Sequence, residues 1–171
     1  MSDWVVINVR IADEHIEAPD ATIVQLDLDD WCAKGNELLA ALPFPAPVMI
    51  LTGASLEPGW TTPMELALRK ATFASPVLSF DGGQTAPDWE PIGSLAWAAW
   101  SSVLLGLGGF DPAFTLLQHR YMALKLDGDN RTATHVDTAV ARPAATDALT
   151  ERLGQLYYPL LEEQRLLDGG N

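Results

Sequence analysis

Carboxylates next to apolar walls are this chain's main acid–base candidates. Asp88 and Glu90 flank Trp89, just ahead of an uncharged run from Pro91 to Phe110. Apolar surroundings raise a carboxyl pKa and fit it to give or take a proton near neutrality. The same two charges also suit a helix N-terminus, so their placement leaves both uses open. Other chemistries find less support. His15, His119 and His135 form no HxxxH or HExxH pattern, and Cys32 is the only cysteine, so no metal site is expected. Asp127, Asp129 and Asn130 open like a calcium loop, but the closing glutamate is missing and a turn is the simpler reading. No GxSxG element exists, and Ser79 and Ser101 read as core or helix hydroxyls. Gly82-Gly83 lacks both the GxGxxG spacing and the lysine of a phosphate loop, so no cofactor is expected.

The elements that must position these residues centre on Pro47 to Gly83. Pro47-Val-Met-Ile-Leu-Thr-Gly53 and Ser75-Pro-Val-Leu-Ser-Phe-Asp-Gly-Gly83 are apolar runs ending in glycine turns, with a helical segment between them. That pattern predicts a parallel strand–helix–strand unit. Thr62-Pro63-Met64-Glu65 predicts the start of the intervening helix, with Thr62 as cap and Pro63 at the first helical position. Upstream, Trp4–Ile11 and Ala21–Asp27 read as strands able to form a hairpin, with Trp4 and Val6 on one face and Val5, Ile7 and Val9 on the other. A helix follows from Trp31 to Leu42, capped by Asp29 or Asp30. Downstream, Ile92 to Leu107 reads as a buried helix apolar all round. Asp111-Pro112 starts another helix, and His135–Ala141 reads as a strand. Met122–Leu126 and Thr132–Val136 offer an alternative hairpin. A last helix carries Leu149, Leu153, Leu156 and Leu160 and is interrupted by Pro159. The expected organisation is an α/β core over residues 1–145, its mainly parallel, buried sheet flanked by helices, and a helical segment over 146–171.

Composition narrows the partners. The chain has 171 residues, 48% of them hydrophobic, which is enough for a real core. Its 23 acidic and 10 basic residues give a formal net charge of −13 without any basic cluster. Nucleic acid and anionic membrane surfaces need a basic face, so neither is expected as a partner. Pro91–Phe110 is long enough to span a bilayer, but Asp88, Glu90 and Asp111 flank it without a lysine or arginine anchor. With no recognisable signal peptide and one cysteine, the expected location is cytoplasmic.

Two motifs resemble the crotonase (enoyl-CoA hydratase/isomerase) superfamily. Leu51-Thr-Gly-Ala54 followed by Pro58-Gly59 is similar to that family's L-T-G-A strand end and glycine loop. Pro76-Val-Leu-Ser-Phe-Asp-Gly-Gly83 is similar to its second strand and glycine turn, and the likeness extends over about residues 4 to 107. The resemblance implies a shortened crotonase-like core that binds an acyl thioester, on coenzyme A or an acyl carrier. Backbone amides near Gly59/Trp60 and Gly83/Gln84 would form the oxyanion hole, and enoyl hydratase or isomerase chemistry would follow. The sequence departs from the family in the turn Gly82-Gly-Gln-Thr-Ala-Pro87, where Pro87 has no N–H to donate. Its catalytic glutamates have no clear counterpart, Glu90 being only near one. The alternative is a catalytically inactive scaffold or interaction subunit, with Trp60 or Trp89 filling the site. Leu160, Leu161, Leu166 and Leu167 after Pro159 predict association with further copies or a related subunit, as the resemblance also implies.

Overall fold

The structure, a computed structural model, describes residues 3–80, 83–85, 95–126, 133–143 and 147–169. Its strands are β1 (Trp4–Arg10), β2 (Ala21–Asp27), β3 (Pro47–Leu51), β4 (Ala54–Leu56), β5 (Phe73–Phe80), β6 (Gly83–Thr85), β7 (Ala96–Trp100) and β8 (Ala133–Pro143). Its helices are α1 (Trp31–Ala41), α2 (Thr61–Leu68), α3 (Ser101–Gly106), α4 (Gln118–Leu126), α5 (Asp147–Gln155) and α6 (Tyr157–Leu167), with a 3-10 turn at Pro112–Phe114. One sheet joins the strands in the order β2-β1-β3-β7-β5-β8-β4, and β6 pairs with the end of β5.

This sheet is mixed, which corrects the expectation of a mainly parallel one. β1 runs parallel to β2 and β3, and β5 runs parallel to β8. The pairs β3–β7, β5–β7, β4–β8 and β5–β6 are antiparallel. The cause is the segment expected to be a buried helix. Ala96-Trp-Ala-Ala-Trp100 forms β7 instead, and only Ser101–Gly106 is helical. β7 inserts between β3 and β5 and opposes both, so the two strands expected to be neighbours are one strand apart. A shortened crotonase-like core, with its parallel strand pair, does not describe this sheet.

The apolar residues of β7 divide between the two faces as a strand requires. Trp97 and Ala99 join one core, while Ala96, Ala98 and half-buried Trp100 join the other. A sheet buried on both faces produces a continuous apolar run, which by itself reads equally well as a buried helix. β1 follows the expected division, with Ile7 and Val9 in the first core and Trp4 and Val6 in the second.

The first core lies under α1, α3 and α4, through Trp31, Leu39, Leu104 and Met122, with Phe110 from the segment between α3 and the 3-10 turn. Gly35 lets α1 approach closely here, since a Cβ on it would come within 3.0 Å of the Phe110 ring. Next to it, Asn36 Nδ2 donates to the Phe110 carbonyl at 2.9 Å and Asn36 Oδ1 accepts from the Phe110 N–H at 2.7 Å. That pair fixes the chain just after Gly109, whose φ of 78° suits glycine. The second core lies under α2 and residues 16–18, through Ile16, Ala18, Trp60, Met64 and Leu68.

Local expectations are corrected in four places. β1 and β2 are parallel, not a hairpin, and residues 11–20 cross between them. Asp30 makes no side-chain cap; its carboxylate pairs instead with Lys34 at 2.9 Å. α2 begins at Thr61 and ends at Leu68, with Trp60 rather than Thr62 at its N-cap. Met122–Leu126 belongs to α4, so it forms no hairpin with β8. At the C-terminus the helical stretch divides at Leu156, and Pro159 sits in the first turn of α6, where its missing N–H has no intrahelical partner to lose. Among the described residues, no helix is long and apolar enough to cross a membrane.

Candidate functional site

The residues singled out from the sequence fall at separate places. Gly59 follows β4 with a φ of 90°, and nothing lies within 4 Å of where its Cβ would stand. Trp60 is 1% exposed: its indole Nε1 donates to the Pro19 carbonyl at 2.8 Å and its ring meets Trp4 edge-on at 4.6 Å. Gly83 and Gln84, on β6, pair with Phe80 and Ser79 of β5. Between β4 and β6 stand β8 and β5. Asp88, Trp89 and Glu90 lie outside the described residues.

The structure brings together groups that are far apart in sequence. Ser75 on β5 lies opposite His135 on the parallel strand β8, and a 2.6 Å hydrogen bond joins Ser75 Oγ to His135 Nδ1. His135 borders a cleft of about 620 Å³ that Lys70, Asp137 and Thr138 also line. Ser75 is 0% exposed. A nucleophilic serine has to meet its substrate, and this hydroxyl is closed off, with the imidazole as its hydrogen-bond partner. Nothing in the local sequence signals the pair, because it depends on the β5–β8 register.

Other reactive groups are closed off. Burial pushes the Cys32 thiol up to about 12, with Gln118 Nε2 3.6 Å from its sulfur. The thiolate, the reactive form, is thereby suppressed. Burial, followed by the charge of Arg120, lowers the His119 imidazole to about 4. No cluster of three or more His, Cys, Asp or Glu fit to hold a metal ion occurs among the described residues.

The C-terminal helix combines a buried polar anchor with an apolar outer face. Glu163, 7% exposed, reaches the segment ahead of α4. Its Oε1 accepts from the N–H groups of Leu116 at 2.8 Å and Leu117 at 3.0 Å, and its Oε2 accepts from Thr115 Oγ1 at 3.2 Å. Burial raises the Glu163 pKa despite these three donors. The sequence carried a signal for this role: Leu156, Leu160, Glu163 and Leu167 share a helical stripe, and the acid replaces an apolar residue in it. Leu156 is buried, whereas Tyr157, Tyr158, Leu160, Leu161 and Leu166 stay exposed, Tyr158 at 78%. Arg165 and Glu162 form an ion pair beside them. The helix is therefore held through Glu163, and helical spacing puts Tyr157, Tyr158 and Leu161 away from that side.

The sequence matches no known family of proteins and no curated protein.

Proposed function

We propose that this chain is a protein-interaction subunit that works by binding and engages a partner protein through the outer face of α6. The observation that carries this reading is the contrast along that helix. A buried carboxylate with three donors fixes its position, while Tyr157, Tyr158 and Leu161 remain outside. Exposed tyrosines grouped on a fixed element are the usual material of an interface centre, and the leucines beside them add apolar contact area. A fixed helix also loses little conformational freedom on binding. The formal charge of −13 favours a partner whose contact surface is rimmed by lysine or arginine.

The test is a pair of variants, Tyr158→Asp and Leu161→Asp, compared with the wild type for partner capture by chemical cross-linking in the source cells. Melting curves establish that the variants fold. One protein retained by the wild type and lost by both variants is the expected result. A wild type that captures nothing the variants lose overturns the reading.

The acyl-thioester reading is retained as a second one, because the backbone at Gly59 is open to a ligand and glycine at that point allows close approach. It calls for a second amide from the Gly83/Gln84 region, which belongs to β6, with β8 and β5 standing between it and β4. Titration calorimetry with a panel of acyl-CoA thioesters tests it. Binding heat that Gly59→Val abolishes supports it, and no heat at millimolar ligand removes it.

A further inference from the structure

The two edges of the sheet are treated differently. On one side β4 is only three residues long, and the chain covers it. The Leu56 N–H donates to the Glu17 carbonyl at 2.8 Å, and the Glu17 N–H donates to Ser55 Oγ at 2.9 Å. On the other side β2 runs for seven residues, Ala21–Asp27, and among the described residues it pairs with β1 alone. Its pairing with β1 is continuous over all seven positions, without a bulge, and it contains no proline and no lysine. These are the devices that normally blunt an edge strand.

We infer that β2 is a pairing edge for a second copy of this chain, the two β2 strands meeting antiparallel across a two-fold axis to continue the sheet through both molecules. A two-fold contact brings the same patch of each copy together, and two identical strands related in this way are necessarily antiparallel. Centred on Val24, the register places Ile23 opposite the partner copy's Gln25 position, Thr22 opposite Leu26 and Ala21 opposite Asp27. Charge fits this occupant. Ala21 to Leu26 has no ionisable side chain, and Asp27 is paired with Arg10 on the neighbouring strand at 2.9 Å. The strand itself is thus neutral, with exposed Asp20 and Asp29 only beyond its ends, on a chain whose formal charge is −13. At physiological salt the remaining repulsion is screened beyond about 8 Å. The partly exposed Ile23, Val24 and Leu26 supply apolar contacts on both faces of the joined strands.

Position 24 allows a test that ignores the sign of overall charge, since a residue on the axis meets itself. Val24→Lys reduces the net negative charge, so it relieves any general repulsion between copies, yet it sets two ammonium groups face to face. Opposed residues of antiparallel strands have Cα atoms about 4.5–5.5 Å apart, within disulfide range. Val24→Cys should therefore cross-link under mild oxidation, with the buried Cys32 thiol as a poor competitor. Light scattering on dilute full-length protein at moderate salt should give a dimer mass. Val24→Lys should weaken the association by about tenfold or more, and Val24→Cys should oxidise to a covalent dimer that reductant reverses. Circular dichroism of both variants checks their fold, and the cysteine variant carries the test if the lysine variant does not fold. A monomeric wild type, or a dimer that fails to cross-link at position 24, overturns the proposal. Substitutions on α6 leave this association unchanged, which separates it from the reading of that helix.

Discussion

At the scale of single residues, two buried titratable groups act on stability in opposite senses. The His119 imidazole has its folded pKa lowered from 6.5 to about 4. Between those values the unfolded chain binds the proton and the folded chain resists it, so stability falls as pH falls through that window. The loss by pH 4 should be on the order of 3 kcal/mol, and none of it is present above pH 6.5. Denaturant unfolding at steps from pH 7 to pH 4 measures this, and His119→Gln should flatten the curve. Glu163 works the other way. Its folded pKa is raised above 4.5, so its share of stability is fully present below that value and is lost as pH rises through the raised one. At this group acid therefore favours the folded chain. Replacing this carboxylate leaves the Leu116 and Leu117 N–H groups without their acceptor, at a cost of about 1–3 kcal/mol. Glu163→Ala should speed backbone hydrogen exchange over Tyr157–Leu167 while β1 and β3 keep their protection. Unchanged exchange in α6 would show that Glu163 does not hold it.

At the scale of elements, the strands that alternate between two cores were legible, and β7 was not. Trp4 and Val6 against Val5, Ile7 and Val9 divide in sequence as they do in space. Ala96-Trp-Ala-Ala-Trp100 is apolar at every position because both of its faces are covered, and such a run carries no period to tell strand from helix. The consequence spreads: with β7 as a strand between β3 and β5, the parallel unit expected from Pro47–Gly83 opens, and the sheet becomes mixed. The positions of Trp60, Ser75 and Glu163 illustrate a second limit. Each is defined by a contact with chain 41 to 60 residues away, and no local pattern encodes such a partner, although the odd acid in a leucine stripe does mark Glu163. Leu104 in α3 remains a core residue under either reading, with 0% exposure. Leu104→Ala should cost about 2–5 kcal/mol, measured by denaturant unfolding. A loss below about half a kcal/mol would contradict its place in the first core.

At the scale of the whole molecule, the charge of −13 sets what the surface can meet. Duplex DNA should not bind at physiological salt, because affinity for phosphates depends on lysine and arginine contacts that this chain does not group. A salt-sensitive mobility shift at sub-micromolar protein would contradict this. Acidic proteins instead select basic or locally neutral partners, and two surfaces here are locally neutral: the β2 edge and the outer face of α6. The central claim is that α6 is held in place in order to be bound. Its most direct measurement is site-specific photo-cross-linking in the source cells, with a photoreactive side chain placed at Leu161 and, as a control, at exposed Leu66 on α2. The account predicts one partner protein attached through position 161, absent from the control and lost when Tyr158→Asp is added. No product at position 161, or the same products from both positions, would contradict it.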